Sequence, residues 1–228
     1  MLMLAKLRKL FFGVDMTWGK VIIFAIATAI FAASCLFLPV LASSSFNRVG
    51  VTFEAWILFA LIIIMNCKKP LEAGIKTFVF FLISQPLIYL FQVPFNVFGW
   101  GIFMYYPRWF IWTLLTFPGA IVAWYVKKDN IVSGIILAVA TTFLGYMAVD
   151  AAISCVRNFP NNLLAVIFMI LEIVVFIAVL LKNKKAKLVA AVITLVVTAG
   201  LGGYHIYEEA NNPYYNGVYE AELELEAE

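Results

Sequence analysis

Seven stretches of this chain, at about 21–41, 51–67, 75–95, 108–126, 131–153, 163–181 and 188–206, are almost continuously apolar, with only short polar punctuation between them. A helix needs about 20 such residues to cross about 30 Å of hydrocarbon, so runs of this kind leave few alternatives to membrane spans. Composition points the same way. Of the 228 residues 64% are hydrophobic and 13% charged, whereas a soluble domain is about half apolar and about a quarter charged. A water-soluble fold of this size cannot cover so much apolar surface. The expected fold class is therefore all-α: a polytopic integral membrane protein built as a bundle of seven transmembrane helices. Segment 21–206 forms the bundle, 1–20 precedes it and 207–228 follows it.

Basic residues orient the bundle. Lys6, Arg8, Lys9, Lys20, Lys68, Lys69, Lys76, Lys127, Lys128, Lys182, Lys184, Lys185 and Lys187 fall on one side of the seven-span layout, and Arg48, Arg108 and Arg157 stand alone in the opposing loops. Lys and Arg in short loops mark the cytoplasmic face, which puts the N-terminus in the cytoplasm and the C-terminus outside. The expected location is a cell membrane, the bacterial cytoplasmic membrane in particular, since no Asn-x-Ser/Thr sequon occurs. Residues 1–20 combine basic side chains with Leu4, Leu7, Phe11 and Val14 at helical spacing, the pattern of a basic amphipathic helix lying at the interface. Ala42-Ser43-Ser44-Ser45 resembles the end of a signal peptide, but the preceding run is longer than a signal core and reads as a first span.

The stretch from Thr77 to Tyr106 is too long for one span and contains Gln85-Pro86, Gln92, Pro94, Asn96, Gly99 and Gly101. It is expected to leave the membrane near Pro94 and to lay an aromatic segment along the outer interface. In the acidic external tail, Asn216-Gly217 is a turn dipeptide, and from Tyr219 to Glu228 every second residue is glutamate. Period two fits a strand, while a row of like charges also fits a mobile tail or one that meets a basic partner. Cys35 and Cys155 both fall toward the outer face; a bridge between them and two free, small hydrophobic side chains are the alternatives.

Motifs for soluble chemistry are absent. The chain has no phosphate-binding glycine loop, no paired-histidine metal helix and no nucleophile elbow, and its single histidine, His205, cannot make a metal site alone. No nucleophile, base and orienting group occur together, so catalysis, metals, cofactors and nucleic acid are not expected.

The informative residues are polar groups placed where lipid should exclude them. Glu172 lies midway through the run 163–181, at a depth where an ionisable side chain costs at least about 2.5 kcal/mol and marks a functional or bundle-interior position. It is expected to face the interior and to meet a neutral polar group, with Gln85, Ser84, Thr113, Thr116, Thr141 and Thr142 as candidates. Glu54, Asp150 and Arg108 fall in the outer parts of the second, fifth and fourth runs, where opposite charges at one depth can line a vestibule. Gln85-Pro86 and Pro118-Gly119 are expected to break the third and fourth helices and to free carbonyls for a solute. These residues together point to a small-solute transporter, or the membrane subunit of a transport system, with a carboxylate site in the bundle. The alternative is a non-catalytic scaffold or accessory subunit whose polar residues hold helices together and whose loops or tail recruit a partner membrane protein.

Overall fold

Backbone polar groups in hydrocarbon must be satisfied within their own segment, and the apolar runs do fold as helices. The computed structural model describes residues 2–48, 52–157, 159–160 and 162–211, and among them there is no strand. Eight principal helices follow in order: α1 (Leu2–Phe12), α2 (Trp18–Phe37), α3 (Glu54–Asn66), α4 (Pro70–Gln92), α5 (Tyr106–Trp124), α6 (Ile131–Arg157), α7 (Leu163–Leu180) and α8 (Lys184–Asn211). Six helical stretches are long and apolar enough to cross a bilayer: α2, α4, the continuous segment Gly99–Lys128 that contains α5, α6, α7, and α8 as far as Glu208. Their outward faces are rich in exposed apolar side chains such as Ile23, Val139, Leu171 and Leu195. A lipid bilayer is the environment that suits such a surface.

The second apolar run departs from expectation. Only Glu54–Asn66 is helical there, 13 residues, or about 20 Å at 1.5 Å per residue, against about 30 Å of hydrocarbon. Apolarity extends beyond the helix at both ends, so run length overstates it. The prolines also behave differently from the expected breaks. α4 continues through Pro86 and α5 through Pro118, each proline withholding one backbone N–H without ending its helix. α4 does stop at Gln92, and residues 99–105 wind as a tighter 3₁₀ helix leading into α5, so no single helix spans 77–106. At the far end α8 runs through Tyr207 to Asn211, placing the first residues of the expected tail in the last helix. The proposed turn at Asn216-Gly217 and the alternating segment 219–228 lie outside the described residues.

α1 is a short basic helix that ends before Gly13 and is tied to the base of the bundle. The Asn66 amide accepts from Val14 N–H at 2.8 Å and donates to the Leu10 carbonyl at 2.7 Å. Phe11, fully buried, meets Phe176 of α7 edge to face at 6.1 Å. The same base holds Lys76, buried in α4, whose ammonium donates to the Met16 carbonyl and to Glu72 and lies over the Trp18 ring. Trp124 and Lys127 both donate to the Cys67 carbonyl, at 3.0 and 2.6 Å. The Asp129 carboxylate, on a residue with φ of 53°, accepts from the backbone of Lys182 and Asn183 just ahead of α8. Basic residues at this end thus serve as architectural donors as well as topology signals.

The helices fall into two groups. α2, α4 and α5 pack together, and α6 packs against α7 and most extensively against α8. Hydrophobic driving force is weak between helices in lipid, so close approach depends on small residues. Gly134 and Gly145 supply it on α6: a β-carbon on Gly134 would stand 2.5 Å from the Ala186 carbonyl oxygen, and one on Gly145 would collide with Thr198. Between these contacts Thr141 and Thr194 share a hydrogen bond at 2.6 Å. α5, by contrast, touches α6 only slightly. Cys35, Cys67 and Cys155 are all free and buried.

Candidate functional site

The polar residues singled out above separate into two places. The first forms where α3 begins inside the thickness of the bundle. Glu54 occupies the first turn of α3, a position favourable for a carboxylate beside the helix N-terminus, and is 2% exposed. Arg48, six residues earlier, donates through Nε to Glu54 Oε1 at 3.3 Å and places a terminal guanidinium nitrogen 3.6 Å from Asp150 Oδ2. The other oxygen of Asp150 lies 3.8 Å from His205 Nε2 on α8. His205 also stacks obliquely on Tyr146, at 5.7 Å between ring centres. This Glu54–Arg48–Asp150–His205 chain runs from the bundle interior to a half-exposed carboxylate.

Glu172, on α7, is within electrostatic range of Glu54. It is 4% exposed, and neither of its carboxyl oxygens has a hydrogen-bond partner among the described residues. Oε2 of Glu54 is buried and unpartnered in the same sense. The neutral partner expected for Glu172 is therefore not found: Thr141 is committed to Thr194 and to the Leu137 carbonyl, while Gln85, Thr113 and Thr116 line a different part of the bundle. Burying an unpaired carboxylate costs several kcal/mol. Among the described residues the Glu54 and Asp150 carboxylates share the Arg48 guanidinium, and His205 lies beside Asp150. No group of three metal-ligating side chains is assembled among the described residues.

The second place is a pair of cavities whose described lining includes none of Arg48, Glu54, Asp150, Glu172 and His205. A cleft of about 750 Å³ runs between α3, α4, α5 and α6 with an almost wholly apolar lining, including Trp56, Phe81, Trp112 and Phe143, together with Pro118 and Gly119. Above it a pocket of about 330 Å³ is lined by Tyr89, Gln92, Asn96, Tyr105 and Arg108. Gln85 and Trp109 line both.

Arg108 thus does not join Glu54 and Asp150 as expected; Arg48 takes that part. All three outer arginines read alike in sequence. Which one reaches Glu54 depends on the path of the chain after α2, where Pro39 starts a short helical turn. The available signal is the six-residue separation of Arg48 and Glu54, short enough for the guanidinium to pair with the carboxylate in the first turn of the helix. Likewise Gln85, Pro118 and Gly119 share the cavities with Arg108, not the carboxylate cluster with Glu172. Comparison with known protein families, with curated proteins and with solved structures finds no match.

Proposed function

We propose that this chain is a small-solute transporter, or the membrane subunit of a transport system, in which Glu172 and Glu54 form a proton or cation site reached from outside past Asp150, Arg48 and His205. The observation that carries this reading is the buried Glu172 carboxyl, without a hydrogen-bond partner among the described residues and within electrostatic range of a second buried carboxyl. Such a group is expensive as static glue, since a hydroxyl or amide would hold helices together at lower cost. It becomes useful where its charge is repeatedly compensated and released. Arg48, bonded to Glu54 and near Asp150, divides its attraction between an interior and a half-exposed carboxylate. Occupancy at Glu172 and the arrangement of this chain are coupled through that shared cation.

The accompanying topology has seven crossings. α3 completes the second crossing with help from the flanking segment, the N-terminus is cytoplasmic, the C-terminus external, and the membrane is the bacterial cytoplasmic one. Cysteines introduced beside Lys128 and Lys184 are expected to react with an impermeant maleimide only from the cytoplasm, and one beside Arg157 only from outside. The three native cysteines are buried and leave little background. Reversed labelling would overturn the orientation.

The functional test uses proteoliposomes loaded with a pH-sensitive dye or with radioactive sodium. Wild-type protein is expected to carry proton or sodium flux under an imposed gradient, and Glu172→Gln to abolish it while keeping the same elution profile and thermal transition. Flux undiminished in Glu172→Gln, or no flux in the wild type with either ion, would reject the transport reading in favour of an accessory membrane subunit.

A further inference from the structure

The paired cavities lie apart from the carboxylate cluster and call for a different occupant. The larger is lined almost wholly by apolar side chains, and several on its rim are exposed: Leu115 and Val122 on α5, Ile135 and Val139 on α6. Because α5 and α6 scarcely touch, the cleft opens sideways between them, toward the surface that lipid covers. On α5 its lining extends from Trp109 to Ala123, about 21 Å at the α-helical rise, against about 15 Å for half of the hydrocarbon thickness. Those dimensions fit one extended acyl chain better than a compact polar solute.

The smaller pocket continues the larger at its outer end through Gln85 and Trp109. Its chemistry is opposite. Among the described residues Arg108 is the one charged residue lining it, and the amides of Gln85, Gln92 and Asn96 with the Tyr89 and Tyr105 rings complete it. Gln85 and Gln92 are 5% and 7% exposed, so these are built-in polar groups rather than surface fringe. Gln92 already donates to the Ile88 carbonyl at 3.0 Å, so the exposed Arg108 guanidinium is the principal donor, and a guanidinium with neighbouring amides matches a phosphate, which takes charge-assisted hydrogen bonds. An apolar slot of chain length beneath a cationic, donor-rich pocket is the negative image of one kind of molecule.

We infer that the two cavities together bind an anionic phospholipid of the bilayer, with its phosphate at Arg108 and one acyl chain lying along α5 in the cleft. Gly119 shows that the slot is open space: a β-carbon there would meet nothing within 4 Å. The site therefore permits separate challenges to head and tail. Arg108→Gln removes the charge and leaves the slot, whereas Gly119→Phe fills the slot and leaves the charge.

The test is native mass spectrometry of the full chain, released from nanodiscs containing equal phosphatidylglycerol and phosphatidylcholine. Wild-type protein is expected to retain phosphatidylglycerol about fivefold over phosphatidylcholine, because both lipids offer a phosphate to Arg108 and only phosphatidylcholine adds a cationic choline that the guanidinium repels. Arg108→Gln should erase that preference, Arg108→Lys should restore part of it, and Arg157→Gln, an exposed outer arginine, should leave it intact. Gly119→Phe should lower retention of both lipids. A phosphatidylglycerol carrying a diazirine in its acyl chain gives a readout that needs no variant, with expected crosslinks to 109–123 and 135–143. Equal retention of the two lipids by the wild type, an Arg108→Gln result matching Arg157→Gln, or crosslinks spread evenly onto the exposed face of α2 would overturn the proposal. So would a wild-type dimer that Gly119→Phe dissociates without changing bound lipid, because the cleft would then belong to a second copy of the chain.

Discussion

Arg48→Met is expected to destabilise the protein by about 2–4 kcal/mol, measured as the thermal or denaturant transition in detergent micelles. Removing one partner of a buried pair leaves the other charge uncompensated, which costs about 3–5 kcal/mol when both are fully enclosed. Here Glu54 is 2% exposed but the Arg48 side chain 16%, so water screens part of the interaction and the expected value falls below that range. The double variant Arg48→Met/Glu54→Met should recover most of the loss. Apolar groups of similar shape replace a buried pair at little net cost, and Asp150, half-exposed, tolerates the loss of its guanidinium contact. A double variant as unstable as Arg48→Met would mean that Arg48 acts mainly through Asp150 or through packing.

Gly145→Leu is expected to have the larger structural effect, a loss of more than about 3 kcal/mol or failure to recover folded protein. A β-carbon at Gly145 already collides with the Thr198 side chain, and the remaining leucine atoms have no room unless α6 and α8 separate. Separation would also stretch the Thr141–Thr194 hydrogen bond, which is 2.6 Å and fully enclosed. Thr198→Gly in the same chain should restore part of the stability by opening space for the new side chain. Gly119→Leu is the matched control: its β-carbon meets open space, so stability should change by less than about 1 kcal/mol. Equal damage from both substitutions would show that helix propensity or insertion, not the α6–α8 seam, governs the outcome.

Sequence patterning reached the all-helical class and most of the spans because hydrocarbon imposes a length and a polarity on each segment independently of its neighbours. It overreached where one segment's fate depends on another. The run 51–67 is almost continuously apolar, yet its helix begins only at Glu54, where Arg48 supplies a charge partner for the first turn. Pro86 and Pro118 are local signals for a break, but the effect of a proline on a packed helix is decided by the helices around it, and both helices run on. The burial of Glu172 follows from depth plus charge, which can be counted along the chain. Its electrostatic coupling to Glu54 cannot be counted in that way, because it depends on how α3 and α7 are placed in the bundle. Gln85 and Arg108 were visible as polar residues in apolar surroundings. Their common pocket arises from the turn at 93–98 and the 3₁₀ segment that returns the chain over α4.

The position of Glu172 along α7 has an electrical consequence. It is the tenth residue of an 18-residue helix, so a cation or proton that reaches it from the outer end has travelled about 13 Å through a core about 30 Å thick. In a uniform field that is nearly half of the transmembrane voltage. One elementary charge crossing the full membrane exchanges about 2.3 kcal/mol per 100 mV, so occupancy of Glu172 shifts by about 1 kcal/mol for the same voltage. In the proposed role and orientation, an energised membrane, negative inside, would draw the ion inward and fill the carboxylate, and depolarisation would empty it. The membrane potential would then set the affinity of the proposed site with no dedicated voltage-sensing helix.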